Sequence, residues 1–171
     1  ELHIYEKYED LMESGNVDAV IIAVPHYLHP VMAIHAFKCG LHVIVEKPVG
    51  VYAKNVAEMN EAAKKSDKVF SSMFCIRTDP YFKEIRELVQ NGALGGIKRV
   101  NWVATDWYRP QAYHDSSPWR SSWSGEGGGV LVNQSPHNLD IIRWIFGLPQ
   151  RVTAIARFGK YYNIEVEDEV T

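Results

Sequence analysis

Several things are scarce or missing in this sequence, and each absence excludes a class of protein. No apolar run is long enough to cross a bilayer: the longest, Ala19–Pro25, falls far short of the roughly 20 residues a membrane helix needs. Positive charge is not in surplus: 18 Lys and Arg stand against 21 Asp and Glu, a net charge of −3. Without a basic field, neither nucleic acid nor an anionic membrane is an expected partner. There are only two cysteines, Cys39 and Cys75, in or beside apolar segments. They read as reduced, packed thiols of a cytoplasmic protein and not as a disulfide. No G-x-G-x-x-G turn follows a strand. The glycine run Ser124–Gly129 lacks both that spacing and that context, and reads as a hinge that lets the chain approach a ligand. No metal is expected, because His26 and His29 have no further ligands at a sensible spacing. His3, His35 and His114 read as surface residues.

What is present is a 171-residue chain that is 46% hydrophobic and 23% charged, enough to bury a sizeable core as one domain or two small ones. Residues 1–76 alternate helix and strand three times. The spacing predicts a helix over Tyr5–Ser14, a strand over Val17–Val24, a helix from Pro30 to Lys38 closed by Cys39-Gly40, and a strand at Val43–Val45. A helix over Ala53–Lys65 and a strand over Val69–Cys75 follow. The unbroken apolar character of Val17–Val24 predicts burial on both faces, as in a parallel sheet. The character changes near Arg77. Asp79-Pro80 caps a helix that runs to Asn91-Gly92. Alternation over Ile97–Tyr108 predicts a long strand with one exposed face. Arg109–Gly129 is a long loop rich in Trp, Ser, Pro and Gly, and a loop of that length is usually functional. Val130–Phe146 reads as a helix, Val152–Phe158 as a strand, and Val166–Thr171 as a further strand. The expectation is an α/β chain. Residues 1–76 form part of a parallel, Rossmann-type sheet, and residues 77–171 begin an α+β domain with an open, mainly antiparallel sheet.

Two places could carry chemistry. Strand Val43–Val45 ends on Glu46-Lys47-Pro48, and open α/β sheets bind ligands at the ends of such strands. A Lys fixed there serves chemistry better than packing. A surface ion pair with Glu46 is the plainer alternative, weakened because neighbouring strand residues point to opposite faces. On the late helix, Asn133, His137 and Asp140 share one face at i, i+4 and i+7. Pro136 either kinks this helix or marks its first turn. The three residues are either a buried polar network or a catalytic constellation.

Taken together, these stretches resemble the Gfo/Idh/MocA family of NAD(P)-dependent oxidoreductases over essentially the whole chain. Val17–Pro25 with His29 is similar to the family's fourth Rossmann strand and cofactor turn. Gly40–Pro48 matches its G-x-H-V-x-x-E-K-P signature, and Arg77 with Pro80 its R-x-x-P. Trp119-Arg120 and Gly127–Gly129 match its W-R and GGG, and His137 with Asp140 its H-x-x-D. Val166–Asp168 resembles its acidic V-E-D. The resemblance implies NAD or NADP as cofactor, with Pro25, His29, Glu46, Lys47, Pro48, Arg77, Trp119 and Arg120 around it. It implies a Lys47-Pro48 peptide that is often cis, and a homodimer or homotetramer formed through the open sheet. The family's G-x-G-x-x-G segment lies upstream of the region matched here, so the chain looks like an internal fragment. The family usually has Asp where this chain has Asn133, and loss of a negative neighbour lowers the basicity of His137.

The implied reaction is hydride transfer between the nicotinamide and a secondary alcohol of a sugar, polyol or cyclitol. His137 is the acid/base, Lys47 polarises the oxygen, and Asn133 and Asp140 orient substrate or imidazole. Tyr113, in a loop offering Arg, Tyr, His, Asp and Trp, is a further contact for a hydroxyl-rich substrate. The alternatives are a cofactor-binding regulator or sensor without turnover, and a structural oligomerisation module.

Overall fold

The computed structural model describes residues 2–105 and 107–171. The chain forms two compact units: Glu1–Met73 with Ser124–Gly127, and Phe74–Trp123 with Gly128–Thr171.

The first unit contains α1 (Tyr8–Glu13), β1 (Ala19–Ile22), a 3-10 turn at His26–Leu28, α2 (His29–Lys38), β2 (His42–Val45), α3 (Ala53–Lys65) and β3 (Phe70–Ser72). The strands are parallel in the order β1-β2-β3, with Ile22 opposite Val45 and Val45 opposite Ser72. This is the Rossmann-type alternation expected from the sequence. Its core is Val20, Ile22, Val43 and Val45 from the sheet, packed on Met32, Ala33, Ala36 and Phe37 of α2 and Met59 of α3. Phe37 meets Phe70 edge-on at 5.7 Å, a geometry that aromatic quadrupoles favour. Helix α2 stops at Gly40, whose φ of +74° suits a residue without Cβ. Leu41 N–H then reaches back to Ala36 O at 3.0 Å, closing the helix end.

Burial of β1 on both faces is not what the fold shows. Val20 and Ile22 are buried, but Ile21 between them is 66% exposed. Helix α2 packs on one face, with Met59 of α3 in the same core, and the period-2 pleat turns Ile21 away from it. The apolar run reports high strand propensity at a site only half of which is buried within the described residues.

The second unit begins with a 3-10 turn at Cys75–Thr78 and α4 (Pro80–Gln90), followed by α5 (Gln111–His114), a π-helical turn at Val130–Gln134, α6 (Pro136–Phe146), β4 (Ala156–Phe158) and β5 (Glu167–Val170). Asp79 caps α4 as expected, its carboxylate accepting Tyr81 N–H at 2.8 Å. Helix α4 packs on α6, where the Arg86 guanidinium lies 4.8 Å from the Trp144 ring and donates to Trp144 O at 3.2 Å. Strands β4 and β5 pair antiparallel, with an irregularity between Arg157 and Phe158. The pairing runs one residue beyond β4, since Ile155 and Thr171 exchange both main-chain hydrogen bonds.

Three expectations change here. Residues 97–105 and 107–108 form no strand and are exposed, and position 106 lies outside the described residues. A strand needs a ladder partner, and no described strand pairs with this segment. Its Trp102 instead stacks on Phe82 at 5.8 Å. The late helix is not continuous: a π turn ends at Gln134, and Pro136 opens α6 at its N-terminal end, where its missing N–H costs nothing. Finally, Cys75 is exposed, whereas Cys39 is half-buried against the core, and both are free thiols.

The glycine run is also more than a hinge. A Cβ on Gly127 would lie 2.3 Å from Val51 Cγ1, and one on Gly129 would lie 1.9 Å from Glu167 O. These glycines allow close packing. Gly129→Ala is therefore expected to destabilise the protein by about 3 kcal/mol or more. Gly96→Ala, with open space around it, should stay within about 0.5 kcal/mol of the parent. Urea unfolding of the two variants checks the contrast.

Candidate active site

The carboxyl ends of β1 and β2 lie side by side because Ile22 and Val45 are in register. The chain leaving β1 carries Pro25, His26 and His29. The chain leaving β2 carries Glu46, Lys47 and Pro48, with a cis Lys47-Pro48 peptide. His29 is 1% exposed and bridges the two exits. Its Nδ1 is 2.7 Å from Pro48 O and its Nε2 is 2.8 Å from Val24 O. One ring thus meets two main-chain oxygens that the strands leave without ladder partners. Glu46 is half-buried, and its carboxylate accepts Lys47 N–H at 3.1 Å, so it shapes the turn.

Two residues at this rim have places that the sequence did not reveal: His26, weighed there only as a metal ligand, and Glu126. His26 is 6% exposed, with Nδ1 2.9 Å from Glu126 O, and Glu126 itself is 2% exposed. Burial holds the His26 pKa below its ordinary value. The Glu126 main-chain oxygen and the Glu126 charge oppose this, and His29 and Lys47 add to the lowering. Lys47 thus sits near enough to His26 to be felt electrostatically. The signal in the sequence was Pro25-His26 standing at the end of β1 where Glu46-Lys47-Pro48 stands at the end of β2. Glu126 was signalled by being the lone acid among glycines.

In the second unit, Arg77 and Asp140 form a bidentate ion pair. Arg77 Nε donates to Oδ2 at 2.6 Å and Nη2 to Oδ1 at 2.5 Å. Hydrogen bonding to Asp140 raises the Arg77 pKa, which burial partly opposes. The Asp140 carboxylate is thereby committed to Arg77. His137, at the second position of α6, is half-buried with Phe74 edge-on at 6.1 Å. Asn133 lies in the π turn, also half-buried.

A second cluster gathers Tyr113, Trp119 and Arg120. Arg120 Nη1 donates to Tyr113 Oη at 2.5 Å, and its guanidinium lies 4.4 Å from the Tyr113 ring and 4.6 Å from the Trp119 ring. Arg109 lies 4.1 Å from the same Tyr113 ring. Beside this cluster is a cleft of about 480 Å³ lined by polar groups that include His114, Asp115, Arg120, Asn163 and Glu165. His114 is not a free surface residue: its Nδ1 is 2.6 Å from Ser121 Oγ, and its ring packs on Tyr162 at 4.8 Å.

The acidic residue at the centre of Val166–Asp168 is also fixed. Glu167, 4% exposed, accepts Gly129 N–H at 2.9 Å and Leu131 N–H at 3.0 Å, so a carboxylate caps the π turn.

Comparison with known proteins places this architecture in a family. Residues 1–74 match the pattern described as "Oxidoreductase family, NAD-binding Rossmann fold", and residues 82–171 match the "GFO/IDH/MocA C-terminal domain". The chain belongs to the Gfo/Idh/MocA family of oxidoreductases. It is 31% identical over 142 residues to 1-carboxy-3-chloro-3,4-dihydroxycyclohexa-1,5-diene dehydrogenase of Comamonas testosteroni, covering 82% of this chain and 34% of that protein. It is 29% identical over 143 residues to myo-inositol 2-dehydrogenase of Thermotoga maritima, covering 84% of this chain and 40% of that one. Among solved structures, the WlbA dehydrogenase of Bordetella pertussis, in complex with NADH and UDP-GlcNAcA, superposes with a TM-score of 0.87 at 27% identity. That match covers 97% of this chain and 47% of WlbA. The chain thus spans less than half the length of these relatives. Among the described residues, no helix is long and apolar enough to cross a membrane.

Two outcomes follow from the geometry. His26 binds its proton less readily in the folded than in the unfolded chain, so the unfolded state takes up the extra proton on acidification. Stability should fall as pH drops below about 6.5, by at most about 1.4 kcal/mol per pH unit from this group, until the folded-state pKa is reached. His26→Gln should flatten that slope in urea midpoints measured between pH 7.5 and 5. Asp140→Asn should cost about 1–2 kcal/mol, a figure discounted because the Arg77 side chain is 38% exposed. The loss should shrink in a background that already carries Arg77→Met, which a double-mutant cycle reads directly.

Proposed function

We propose that the protein carrying this chain transfers a hydride between a nicotinamide dinucleotide and a secondary alcohol of a sugar, polyol or cyclitol. The observation that carries this reading is Lys47, half-buried at the carboxyl end of the central strand of a unit that matches an NAD-binding Rossmann pattern. Ligands of open α/β sheets bind at that edge. The relatives support the substrate class, since their names specify a dihydroxycyclohexadiene and myo-inositol.

In this reading the first unit would offer Pro25, Glu46, Lys47 and Pro48 to the nicotinamide end of the cofactor, with one cation among them, and the second unit would offer the guanidinium and aromatic groups of Arg77, Trp119 and Arg120. His29 acts through the turn it holds, because its ring nitrogens face main-chain oxygens. When bound, the nicotinamide supplies the hydride acceptor for oxidation, or the donor for reduction.

In the oxidative direction, the His137 imidazole takes the substrate hydroxyl proton, a task suited to a neutral imidazole near pH 7. The Lys47 ammonium stabilises the negative charge that grows on that oxygen as the proton leaves. Asn133 offers a carboxamide to a neighbouring hydroxyl, and it cannot serve as a carboxylate base. Asp140 acts indirectly by holding Arg77. Tyr113 and the polar cleft beside Arg120 provide hydrogen-bonding groups for the rest of a hydroxyl-rich substrate.

Turnover by the whole protein over a panel of sugars, polyols and cyclitols, followed as NADH formation, tests this. Lys47→Ala and His137→Ala should each lower kcat on the best substrate by about 10²–10⁴-fold. Wild-type kcat in both variants would show the assignment to be wrong.

A further inference from the structure

We propose that Glu13, His35 and Cys39 form a binding site for a zinc-type divalent cation that joins the ends of α1 and α2. One ligand atom from each residue lies within 4.8 Å of the other two. All three belong to the first unit, and His35 and Cys39 lie at the end of α2 opposite to His29, which opens that helix at the strand rim.

Several observations converge on these residues. His35 and Cys39 are four apart, so the last turn of α2 places them on one face. Glu13 is the final residue of α1. His35 Nε2 is 3.2 Å from Glu13 Oε1. The nitrogen is nevertheless buried without a hydrogen bond, because the contact lacks hydrogen-bond alignment. A ring nitrogen and a carboxylate oxygen that approach without sharing a proton are arranged as two ligands are around a cation. Bond lengths of about 2.0–2.3 Å around a tetrahedral metal put its ligand atoms roughly 3.3–3.7 Å apart. The Glu13–His35 separation is already near that value, and rotation of the Cys39 side chain closes the rest.

The surroundings favour positive charge. Both helices end here, so both dipoles present their negative ends. A glutamate in the last turn of α1 is unfavourable on that count, and no basic residue in that turn offsets it. A divalent cation removes the conflict. Tyr8 meets the His35 ring edge-on at 5.8 Å and orients it. Thiolate, imidazole and carboxylate together suit Zn²⁺ or Co²⁺ and not Mg²⁺ or Ca²⁺, which prefer oxygen alone. Three protein ligands leave a fourth position for water.

The test uses the whole protein, reduced and freed of metal, titrated with Co²⁺ and then Zn²⁺ alone. The expected result is one ion per chain, with a thiolate-to-cobalt charge-transfer band that Zn²⁺ displaces and that Cys39→Ser abolishes. His35→Ala and Glu13→Gln should weaken binding by at least about tenfold. Glu13→Gln is nearly isosteric at an exposed position, so it decides the matter if either helix α2 variant fails to fold. Zn²⁺ should also protect Cys39 from alkylation while exposed Cys75 continues to react. Absence of the band, equal alkylation of Cys39 with and without Zn²⁺, or unchanged affinity in Glu13→Gln would each overturn the site. In that case the contact is a histidine–carboxylate pair only.

Discussion

The rim of the first unit depends on one buried imidazole. Two parallel strands end beside each other, and each exit leaves main-chain oxygens without ladder partners. His29 meets Val24 O after β1 and Pro48 O after β2. A neutral imidazole carries one N–H and so donates to one of these oxygens at a time; burying that oxygen unpaired would cost on the order of 1–3 kcal/mol. The same contacts determine where the Glu46-Lys47-Pro48 turn stands. Because His29 is also the first residue of α2, the packing of that helix on the sheet and the position of Lys47 are linked. Main-chain satisfaction, core packing and placement of Lys47 are therefore one problem with one solution.

The second unit solves a similar problem with carboxylates. Asp140 accepts a bidentate guanidinium from Arg77, and Glu167 accepts two N–H groups at the start of the π turn. Both are buried acids whose charge is matched locally, as a low-dielectric interior requires. His137 stands near the start of α6, with an acid three residues further on. Asp140 occupies that position in sequence but belongs to Arg77. The Arg77–Asp140 pair also supports the π turn indirectly, since it anchors the helix that follows it.

Much of this was legible in the sequence. The helix–strand alternation of the first unit, the Gly40 cap, the Asp79 cap and the Glu46-Lys47-Pro48 turn are local features, set by periodicity and by the dihedral demands of Gly and Pro. The motifs that carry the family resemblance are equally local. Residues 97–105 and 107–108 were misread because alternation reports only that a segment could pair, and pairing needs a partner that no local pattern reveals. The glycine run was only partly legible for a related reason. Freedom of φ and absence of Cβ look the same in a sequence, and only the approach of Glu167 O shows which one Gly129 supplies. The contact between His26 and Glu126 went unread because it spans 100 residues of chain.

The sequence by itself determined the class of fold, the order of the elements and the identity of the chemical groups, because apolar spacing, caps and short motifs act over a few residues. The tertiary structure decided what each polar group is free to do. It committed Asp140 to a guanidinium 63 residues away, used both nitrogens of His29 on main-chain oxygens, placed a buried His26 near Lys47, and brought Glu13 to the end of α2. Desolvation and hydrogen-bond geometry govern those outcomes. Both are properties of groups distant in sequence and close in space, and so they exist only once the chain has folded.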